Sequence, residues 1–379
     1  MWTNRPDQTV LYLMDEIDDL ESLFLKDTPL IDTRAPVEFD KGSLPLAINL
    51  PLMVDAEREA VGICYQQQGQ EAALRLGHEL VSGAVKDGRL NQWIRFSQQH
   101  ADGALFCFRG GLRSEITQSW LKEQGIHYPR IRGGYKAMRR WLIEAVERTC
   151  RNTPILLLGG KTGSAKTRVL NEGFLGNPIK GSIDLEGLAN HRGSAFGKRV
   201  TAQPTQISFE LAVGIEMAKR FAEDPSRLIL EDEGRLIGRC ALPLPLQEAR
   251  HHADWIQLEV PLEDRVQHSY DNYILSNLAE MVSLSADWET AFDAFEHGLI
   301  DALTRIQKRL GNTRYRALHS DLSAALKSHR LGNPEPHKQW IETLLTQYYD
   351  PMYNYQMAKR TQAPLFRGDE SEVISYLTA

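Results

Sequence analysis

The sequence is poor in cysteine, and its 379 residues contain only Cys64, Cys107, Cys150 and Cys240. Four scattered thiols provide neither a disulfide framework nor the paired spacing of a metal-binding motif. No apolar run approaches the roughly 20 residues that a membrane-spanning helix needs, so no membrane partner is predicted. The first 20 residues carry five acidic side chains, which excludes the apolar core of a secretory signal. These absences predict a cytoplasmic protein.

Charge of one sign is not in large excess, because 44 basic and 50 acidic side chains leave a net charge of −6. This balance argues weakly against a dedicated nucleic-acid binder. Residues 109–140 nevertheless contain eight basic against two acidic side chains, and residues 303–367 contain eleven against four. These stretches are either solvated helix faces or a surface that binds RNA phosphates beside stacking aromatic rings.

The chain is long enough for two or three domains, and 42% hydrophobic with 25% charged residues is typical of globular proteins. Residues 1–150 alternate short strand-like and helix-like segments around a helical insert at about 57–96. A second α/β region is predicted at 151–261, and residues 262–379 are predicted to be helical. We therefore predict an α/β fold with an N-terminal parallel-sheet domain, a central α/β domain and a helical C-terminal region.

The segment that begins at Cys107, with the sequence CFRGGLRS, lies between a strand-like and a helical stretch. In such a turn the backbone amides and the helix N-terminus converge on one centre and bind a tetrahedral oxyanion. The same positive field stabilises a thiolate, so Cys107 is the predicted nucleophile. The residues predicted to bind the anion are Arg109, Gly110, Gly111 and Arg113.

The thiol loop by itself fits either a phosphatase, in which cysteine attacks phosphorus, or a rhodanese, in which cysteine carries a chalcogen atom. Residues 31–39 (IDTRAPVEF) and 42–51 (GSLPLAINLP) resemble the N-terminal signature of rhodanese domains. Residues 133–135 (GGY) resemble their closing turn. The resemblance implies a rhodanese-like N-terminal domain, interrupted by the helical insert.

A second phosphate-binding loop is predicted at residues 159–167 (GGKTGSAKT), which follow an apolar strand and precede a helix. This loop resembles a Walker A motif. It departs from the pattern at Ala165, where glycine is usual, and a Cβ there crowds a phosphate if the backbone needs a positive φ. The residues predicted to hold a diphosphate are Gly160, Lys161, Thr162, Gly163, Ser164, Lys166 and Thr167.

Two further segments carry polar side chains that each fit two roles. Asp232 ends an apolar strand and is either a Walker B carboxylate or a solvated acid, so Mg²⁺ is allowed but no dedicated metal site is predicted. Residues 184–197 (DLEGLANHRGSAFG) either contact a phosphate or base or form a structured loop. The side chains considered for RNA or phosphate contacts are His191, Arg192, Arg132, Lys136, Arg139 and Arg140.

The order of these segments, followed by residues 348–353 (YYDPMY), is similar to that of the bacterial tRNA 2-selenouridine synthases over nearly the whole chain. The 184–197 and 348–353 segments are the most specific, because generic rhodaneses and P-loop enzymes lack them. The resemblance implies a transferase that converts wobble 2-thiouridine to 2-selenouridine in the anticodon loop of tRNAs for lysine, glutamate and glutamine.

The resemblance further implies two co-substrates, geranyl diphosphate and selenophosphate, and no tightly bound cofactor. A geranyl group is first transferred to the uridine sulfur, and selenium then replaces the S-geranyl group by way of a perselenide on Cys107. The P-loop would hold the diphosphate, the Cys107 loop the selenophosphate, and the basic C-terminal helices the tRNA. A selenophosphate-supplying enzyme is a compatible partner.

Three alternatives remain open from the sequence. The first is a thiol-dependent phosphatase that uses Cys107 and Arg113. The second is an ATP-dependent tRNA sulfurtransferase, which needs nucleotide turnover at the P-loop. The third is an RNA-binding protein without catalysis.

Overall fold

The computed structural model describes residues 15–379. The first 14 residues of the predicted N-terminal domain lie outside the described residues. The prediction that the first 20 residues contain no secretory signal falls largely on that segment. Two compact units are present: an N-terminal unit, which comprises the described residues up to Thr149 with Thr205–Ala222, and a P-loop unit, which comprises Cys150–Pro204 with Glu223–Ala379.

The first part of the chain alternates short strands with helices. Its elements are β1 Glu16–Ile17, α1 Leu20–Leu25, β2 Leu30–Asp32, α2 Pro36–Lys41, β3 Ala47–Asn49, α3 Asp55–Gln68, α4 Gln70–Leu80, α5 Gly83–Gln99, β4 Ala104–Phe106, α6 Leu112–Glu123, β5 Arg130–Ile131 and α7 Gly134–Asn152. The predicted helical insert is present as three consecutive helices, α3, α4 and α5.

The remainder begins with a second set of strands and ends in a mainly helical region. Its elements are β6 Ile155–Gly160, α8 Lys166–Glu172, β7 Ser182–Ile183, α9 Leu185–Leu188, α10 Gln206–Glu223, β8 Leu228–Glu231, β9 Leu236–Ile237, β10 Cys240–Ala241, α11 Leu244–His251, β11 Asp254–Leu258, α12 Leu262–Tyr270, the π-helical turn Asp271–Ser276, α13 Asn277–Leu284, α14 Trp288–Leu310, α15 Asn312–Arg330, α16 His337–Leu344, the π-helical turn Leu345–Tyr349, α17 Asp350–Ala358, β12 Phe366–Gly368 and α18 Glu370–Thr378.

The N-terminal unit is built on a five-stranded parallel sheet with the order β1-β5-β4-β2-β3. Alternate residues of a strand point to opposite faces, so each face buries its own set of side chains. Leu30 and Phe106 pack on one face in a cluster that includes residues of α1, α7 and α10. Ile31 and Leu105 pack on the other face with residues of α5 and α6. The parallel-sheet domain predicted from the sequence is therefore present.

Helix α10 belongs to a different unit from the one that the predicted domain boundaries give it. It lies within the range predicted for the central domain, yet Leu211 and Ile215 pack in the same core cluster as Met138 and Leu142 of α7. The backbone amide of Ser43 also donates to the hydroxyl of Ser208 at 3.0 Å. The chain thus returns to the N-terminal unit for one helix, which its sequence order does not reveal.

A buried ion pair anchors the strand that carries the DTR sequence. Asp32 and Arg34 are almost fully buried, and the Arg34 guanidinium donates to the Asp32 carboxylate at 2.6–3.0 Å. The same guanidinium donates to the carbonyl oxygen of Gly42 at 2.9 Å and lies 3.7 Å from the ring centroid of Tyr135. Burial raises the pKa of Asp32, although Arg34 opposes this effect. The pair therefore depends on complete hydrogen bonding inside the core.

The P-loop unit contains a second parallel sheet with the order β12-β11-β6-β8-β7. Its central strand β6 is buried along its whole length, as the continuous apolar run predicts. The edge strand β12 comes from the end of the chain, where the sequence predicts helices. Helix α18, which follows it, agrees with that prediction. Three residues of strand with a single glycine give little local signal, and pairing with β11 defines them.

A helical layer completes the P-loop unit. Its core contains Phe292, Leu303, Leu322 and Trp340 from α14, α15 and α16. The Trp340 indole donates to Nδ1 of the buried His337 at 2.9 Å, and burial lowers the pKa of His337 to about 3. Within residues 15–379, no helix is both long and apolar enough to cross a membrane.

Candidate functional site

The Cys107 loop connects the end of β4 with the start of α6, at the carboxyl edge of the parallel sheet. Within the described chain, none of the backbone amides of residues 108–113 donates a hydrogen bond to a protein acceptor. The Cys107 side chain is 3% exposed, and its Sγ lies 3.3 Å from the Ser114 hydroxyl and 3.7 Å from the carbonyl oxygen of Gly111. A thiol therefore lies at the base of a loop whose amides are available to an anion.

The two arginines of this loop differ in their surroundings. Arg113 donates to Glu38 of α2 at 2.5 and 3.2 Å, and Arg58 of α3 pairs with the same carboxylate at 3.2 Å. Burial raises the pKa of Glu38, but the two arginines and the Ala35 amide outweigh this effect, so the pKa is lowered overall. Arg109 is exposed and has no hydrogen bond or ion pair with any described residue. Glu38 thus holds the Arg113 side chain in place beside the Cys107 loop, a role that sequence reasoning missed.

The GGY segment, residues 133–135, packs against the backbone of the Cys107 loop. The Tyr135 amide donates to the carbonyl oxygen of Cys107 at 2.9 Å, and the Lys136 amide donates to that of Phe108 at 3.0 Å. A Cβ on Gly134 would lie 2.2 Å from the Cys107 carbonyl oxygen, and its φ is +55°. Only glycine permits this approach, so Gly134 is required for the shape of the thiol site.

The four basic residues predicted to contact RNA from this part of the chain lie at the beginning of α7 or just before it. Arg132 pairs with Glu16 and Asp18, at 2.9 and 3.2 Å, and Arg140 pairs with Glu144 at 3.4 Å. Lys136 is exposed and Arg139 is half-buried. Three of the four side chains are therefore exposed, and two of these three are paired with neighbouring acids.

The P-loop connects β6 with α8 and has the geometry of an anion site. Among the described residues, no protein acceptor pairs with the amides of Gly163, Ala165, Lys166 and Thr167. The Lys166 ammonium donates to the carbonyl oxygen of Gly160 at 3.3 Å and lies 3.6 Å from Glu233. Burial lowers the pKa of Lys166, but the neighbouring carboxylates outweigh this effect, so the pKa is raised overall and the side chain stays charged.

Ala165 occupies the position at which the Walker A pattern has glycine. Its φ of 59° and ψ of 32° place it in the left-handed region. A left-handed conformation costs a residue with a Cβ about 1–2 kcal/mol. The loop therefore keeps the backbone shape of a phosphate cradle despite the substitution.

The acid beside the P-loop hydroxyl is Glu231 rather than the predicted Asp232. The Thr167 hydroxyl forms a hydrogen bond with Glu231 and lies 3.1 Å from Glu186, whereas Asp232 binds Arg360 at 2.6 Å. Successive residues of a strand face opposite ways, which directs Glu231 towards the P-loop and Asp232 away from it. Asp232, the predicted candidate for a Walker B carboxylate, therefore does not contact Thr167, and the neighbouring Glu231 does.

The carboxylates near Thr167 affect one another. Burial and then the charge of Glu233 raise the pKa of Glu186 to about 8, against the opposing effect of Lys166. Burial and the nearby Glu186 raise the pKa of the fully buried Glu231 well above its usual value, and its Oε2 has no hydrogen-bond partner among the described residues. Burial and mutual repulsion therefore favour the protonated forms of Glu186 and Glu231.

The carboxylate and hydroxyl oxygens around Thr167 are suited to bind a hard cation only together with a substrate phosphate. Within residues 15–379 no group of three or more His, Cys, Asp or Glu side chains is placed to hold a metal ion by itself. Mg²⁺ usually binds one or two carboxylates together with substrate phosphates and water. The Thr167 hydroxyl and the unpartnered Oε2 of Glu231 fit that donor set.

A basic wall, formed by Arg192 and Arg199, and the P-loop line the same cavity of about 270 Å³. Arg192 and Arg199 both line this cavity, and buried nitrogens of each, Nη1 and Nε respectively, have no partner among the described residues. Burial and then the charge of Arg199 lower the pKa of Arg192. Two adjacent half-buried guanidiniums without a carboxylate partner are stabilised when an anion binds between them and the P-loop.

His191, the neighbour of Arg192, does not line this cavity. Burial and three nearby arginines lower its pKa to about 4, so the imidazole is neutral near pH 7. The sequence pointed to His191 and Arg192 together. The structure brings only Arg192 to the phosphate loop and adds Arg199, which no motif indicated.

The two most specific sequence segments hold the P-loop in position. The buried Arg265 donates to the carbonyl oxygen of Thr162 at 2.9 Å and to Asp350 of the YYDPMY segment at 2.6 Å. Asp350 also lies 3.4 Å from Lys161. The Ala195 amide of the 184–197 segment donates to the Tyr349 hydroxyl at 3.1 Å. These segments therefore act as supports of the phosphate site.

Comparison with known proteins agrees with this arrangement. The family model "tRNA 2-selenouridine synthase AAA domain" matches residues 153–379. A tRNA 2-selenouridine synthase of Hahella chejuensis is 50% identical over 95% of this chain and 94% of its own length. The chain belongs to the tRNA 2-selenouridine synthase family. Those of Pseudomonas syringae pv. syringae and Pseudomonas fluorescens are each 46% identical, over 96% and 95% of this chain and 98% and 97% of their own lengths.

Membership of the tRNA 2-selenouridine synthase family confirms the resemblance that the sequence motifs indicated. The identity extends through both units, since each relative covers at least 95% of this chain. The prediction of an enzyme, a transferase, is also confirmed, as is the mixed α/β fold with parallel sheets.

Proposed function

We propose that this chain converts 2-thiouridine at the wobble position of tRNA into 2-selenouridine, as the names of its relatives indicate for those proteins. The conversion has two steps with separate sites. Geranyl diphosphate alkylates the uridine sulfur at the P-loop, and selenium from selenophosphate then replaces the alkylated sulfur with the help of Cys107. Both co-substrates carry phosphate groups, which accounts for two anion sites in one enzyme.

The first step uses the P-loop as a diphosphate site. The free amides of the loop and Lys166 bind the diphosphate, and Arg192 and Arg199 bind it from the opposite wall of the cavity. The uridine sulfur attacks C1 of the geranyl group, a carbon–sulfur bond forms, and the carbon–oxygen bond breaks so that diphosphate leaves. Thr167 and Glu231 would hold Mg²⁺, which would offset charge on the departing diphosphate.

The second step uses Cys107 as a carrier. Its thiolate attacks the selenium of selenophosphate, the selenium–phosphorus bond breaks, and phosphorus leaves with the electron pair as phosphite. The terminal selenium of the perselenide attacks C2 of the alkylated base, and the sulfur leaves as geranylthiol. Two thiol equivalents then reduce the remaining selenium–sulfur bond and are themselves oxidised to a disulfide, which releases 2-selenouridine and restores the Cys107 thiol. Alkylation makes the base sulfur a better leaving group.

One observation carries this proposal: a thiol lies at the head of six consecutive amides, those of residues 108–113, that have no acceptor among the described residues. A thiol phosphatase would use the same loop but would give the P-loop and its basic wall no role. An ATP-dependent sulfurtransferase would give the P-loop a different role, the cleavage of a nucleotide. ATP turnover is therefore measured beside the proposed reaction.

The polymer substrate is proposed to be the anticodon loop of tRNAs for lysine, glutamate and glutamine. Arg109 and Lys136 are exposed basic side chains near the thiol loop, and residues 303–367 supply a further basic excess. Such groups contact phosphates without reading sequence. The reaction is proposed to take place in the cytoplasm, where tRNA is modified, with a selenophosphate-producing enzyme as a supplier.

The test is nucleoside mass spectrometry of 2-thiouridine tRNA incubated with each co-substrate separately and with both. We expect S-geranyl-2-thiouridine from geranyl diphosphate alone and 2-selenouridine from both together, without ATP. Cys107→Ser should abolish selenation and keep geranylation, Lys166→Ala should do the reverse with pre-geranylated tRNA, and Cys150→Ser is the matched control. Loss of both products in Cys107→Ser, or a requirement for ATP, would contradict the proposal.

The phosphorus product provides a separate check of the carrier role. Phosphorus NMR should detect phosphite when selenium passes through Cys107. Phosphate instead would mean that selenium attacks the base while still bonded to phosphorus, and the perselenide would then be wrong even if the overall conversion holds.

A further inference from the structure

An open cavity of about 780 Å³ lies in the N-terminal unit between the insert helices α3 and α4 and helix α6. Its volume is within the range of roughly 300–1,000 Å³ that is usual for small-molecule sites. Most of its lining is apolar, and the contributing side chains include Leu52, Met53, Val61, Ile63, Leu74 and Ile116. The two anion sites do not account for an apolar cavity of this size.

The first turn of helix α6 belongs both to the wall of the cavity and to the thiol loop. Leu112 and Arg113 of the first turn of α6 line the cavity, and the next residue, Ser114, contacts the Cys107 sulfur at 3.3 Å. The amides of Leu112 and Arg113 are also among those without an acceptor in the described chain. A molecule bound to this loop therefore has apolar surface within reach of any tail that it carries.

The rim nearest the thiol loop is polar. Arg58 and Arg113, which share the Glu38 carboxylate, both line the cavity. Several apolar side chains nearby remain partly in contact with solvent, including Ile63 at 47% and Leu112 at 45% exposure. An apolar cavity with a basic rim complements a ligand that joins a hydrocarbon chain to a phosphate backbone.

We propose that this cavity holds the prenyl chain of the S-geranylated wobble uridine while selenium is delivered from Cys107. The inference rests on the proposed function, because only an alkylated base brings a hydrocarbon chain to the thiol loop. Burial of the chain places the C2–S bond beside the perselenide. After that bond breaks, the chain leaves the cavity as part of geranylthiol, and the sulfur keeps the bonding electron pair.

The proposal predicts that affinity depends on chain length. Short anticodon-loop RNAs that carry S-methyl, S-prenyl or S-geranyl 2-thiouridine differ only in the alkyl group. Each buried methylene strengthens binding by roughly fourfold, so the S-geranyl RNA should bind at least tenfold more tightly than the S-methyl RNA. Fluorescence anisotropy with the full-length protein measures this without any turnover.

Two pairs of variants separate the cavity from general damage. Gly62 of α3 lines the cavity, Gly88 of α5 does not, and a Cβ on either meets no atom within 4 Å. A side chain at either position therefore starts in open space; Gly62→Leu should occupy part of the cavity, and Gly88→Leu is its control. Ile63 and Ile143 are both 47% exposed on helices, and only Ile63 lines the cavity. Ile63→Gln and Ile143→Gln form the second pair.

The expected result is specific to the long chain. Gly62→Leu and Ile63→Gln should weaken binding of the S-geranyl RNA at least fivefold and leave binding of the S-methyl RNA within twofold of the wild type. Both controls should behave as the wild type with all three RNAs. Equal losses for S-methyl and S-geranyl RNA, or no dependence on chain length in the wild type, would overturn the proposal.

Turnover distinguishes this inference from the proposed function. If the wild type selenates S-geranyl RNA but its binding ignores chain length, the cavity assignment is wrong and the function stands. If chain length governs binding but no selenouridine forms from selenophosphate, the cavity assignment stands and the proposed selenium chemistry fails. Occupation of the cavity by a protein segment would appear as chain-length independence and counts against the proposal.

Discussion

Replacement of Arg192 by alanine should have opposite effects on the free protein and on its affinity for diphosphate. In the free protein Arg192 lies beside Arg199, and one of its nitrogens is buried without a partner in the described chain. Its removal relieves charge repulsion and a buried unsatisfied donor. With diphosphate bound, the same side chain becomes a charge-assisted donor, and its removal is then unfavourable.

The magnitudes follow from these surroundings. A hydrogen bond to a charged group contributes about 1.5–3 kcal/mol, so Arg192→Ala should weaken diphosphate binding roughly 10- to 150-fold. An unsatisfied buried donor costs about 1–3 kcal/mol, but loss of the aliphatic stem removes part of that gain. The free energy of unfolding of the free protein should therefore stay constant or rise by up to about 2 kcal/mol.

Two measurements test this prediction: urea unfolding of the free protein and calorimetric titration with inorganic pyrophosphate. Arg192→Lys, which keeps the charge and loses the planar fork, should be intermediate in affinity. Arg314→Ala is the control, since Arg314 is exposed on α15 and does not line the cavity. A destabilised free protein whose pyrophosphate affinity is unchanged would refute the reasoning.

Three further changes test other parts of the structure. The pKa of Glu186 is about 8 in the folded protein against 4.5 ordinarily, so the free energy of unfolding of the free protein should fall as pH rises between these values. Glu186→Gln should flatten that fall when unfolding is measured across the range. Ala165→Gly relieves left-handed strain but adds flexibility to the unfolded chain, so thermal denaturation should show a net gain of up to about 1 kcal/mol and no loss of pyrophosphate binding. Asp32→Asn leaves the buried Arg34 without its counter-charge and should cost about 3–5 kcal/mol in urea unfolding, while Asp40→Asn at an exposed position of α2 should have little effect.

The sequence was sufficient where local pattern and chemistry coincide. Two strand–loop–helix units with glycine and basic residues define both anion loops. The structure has Cys107 directly after strand β4 and Lys166 at the start of helix α8, as the strand–loop–helix patterns predict. The apolar run of β6 likewise predicts a strand that is buried on both faces. These features depend on residues adjacent in the chain.

Features that depend on distant residues were not predictable in the same way. Helix α10 joins the N-terminal core although its sequence neighbours belong to the P-loop unit, and β12 pairs with β11 across a long helical region. Glu38 and Arg265 position site residues from other elements, and neither belongs to a motif for that role. Only the packed chain brings them to the sites.

The choice between Asp232 and Glu231 shows a third limit. A run of three acids at the end of a strand identifies the strand, but the side-chain direction depends on which residue begins the buried face. Glu231 is the last residue of β8 and is fully buried, whereas Asp232 pairs with Arg250 and Arg360. Strand register settles the assignment, and composition does not contain it.

The most direct test of the account is whether selenium becomes attached to Cys107. The full-length protein is incubated with selenophosphate in the absence of tRNA, and its peptides are analysed by mass spectrometry under non-reducing conditions. We expect one selenium atom on the peptide that contains Cys107, lost on addition of a thiol and absent from Cys107→Ser. Selenium on Cys64, Cys150 or Cys240 instead, or on no cysteine while the protein still produces 2-selenouridine, would contradict the central claim.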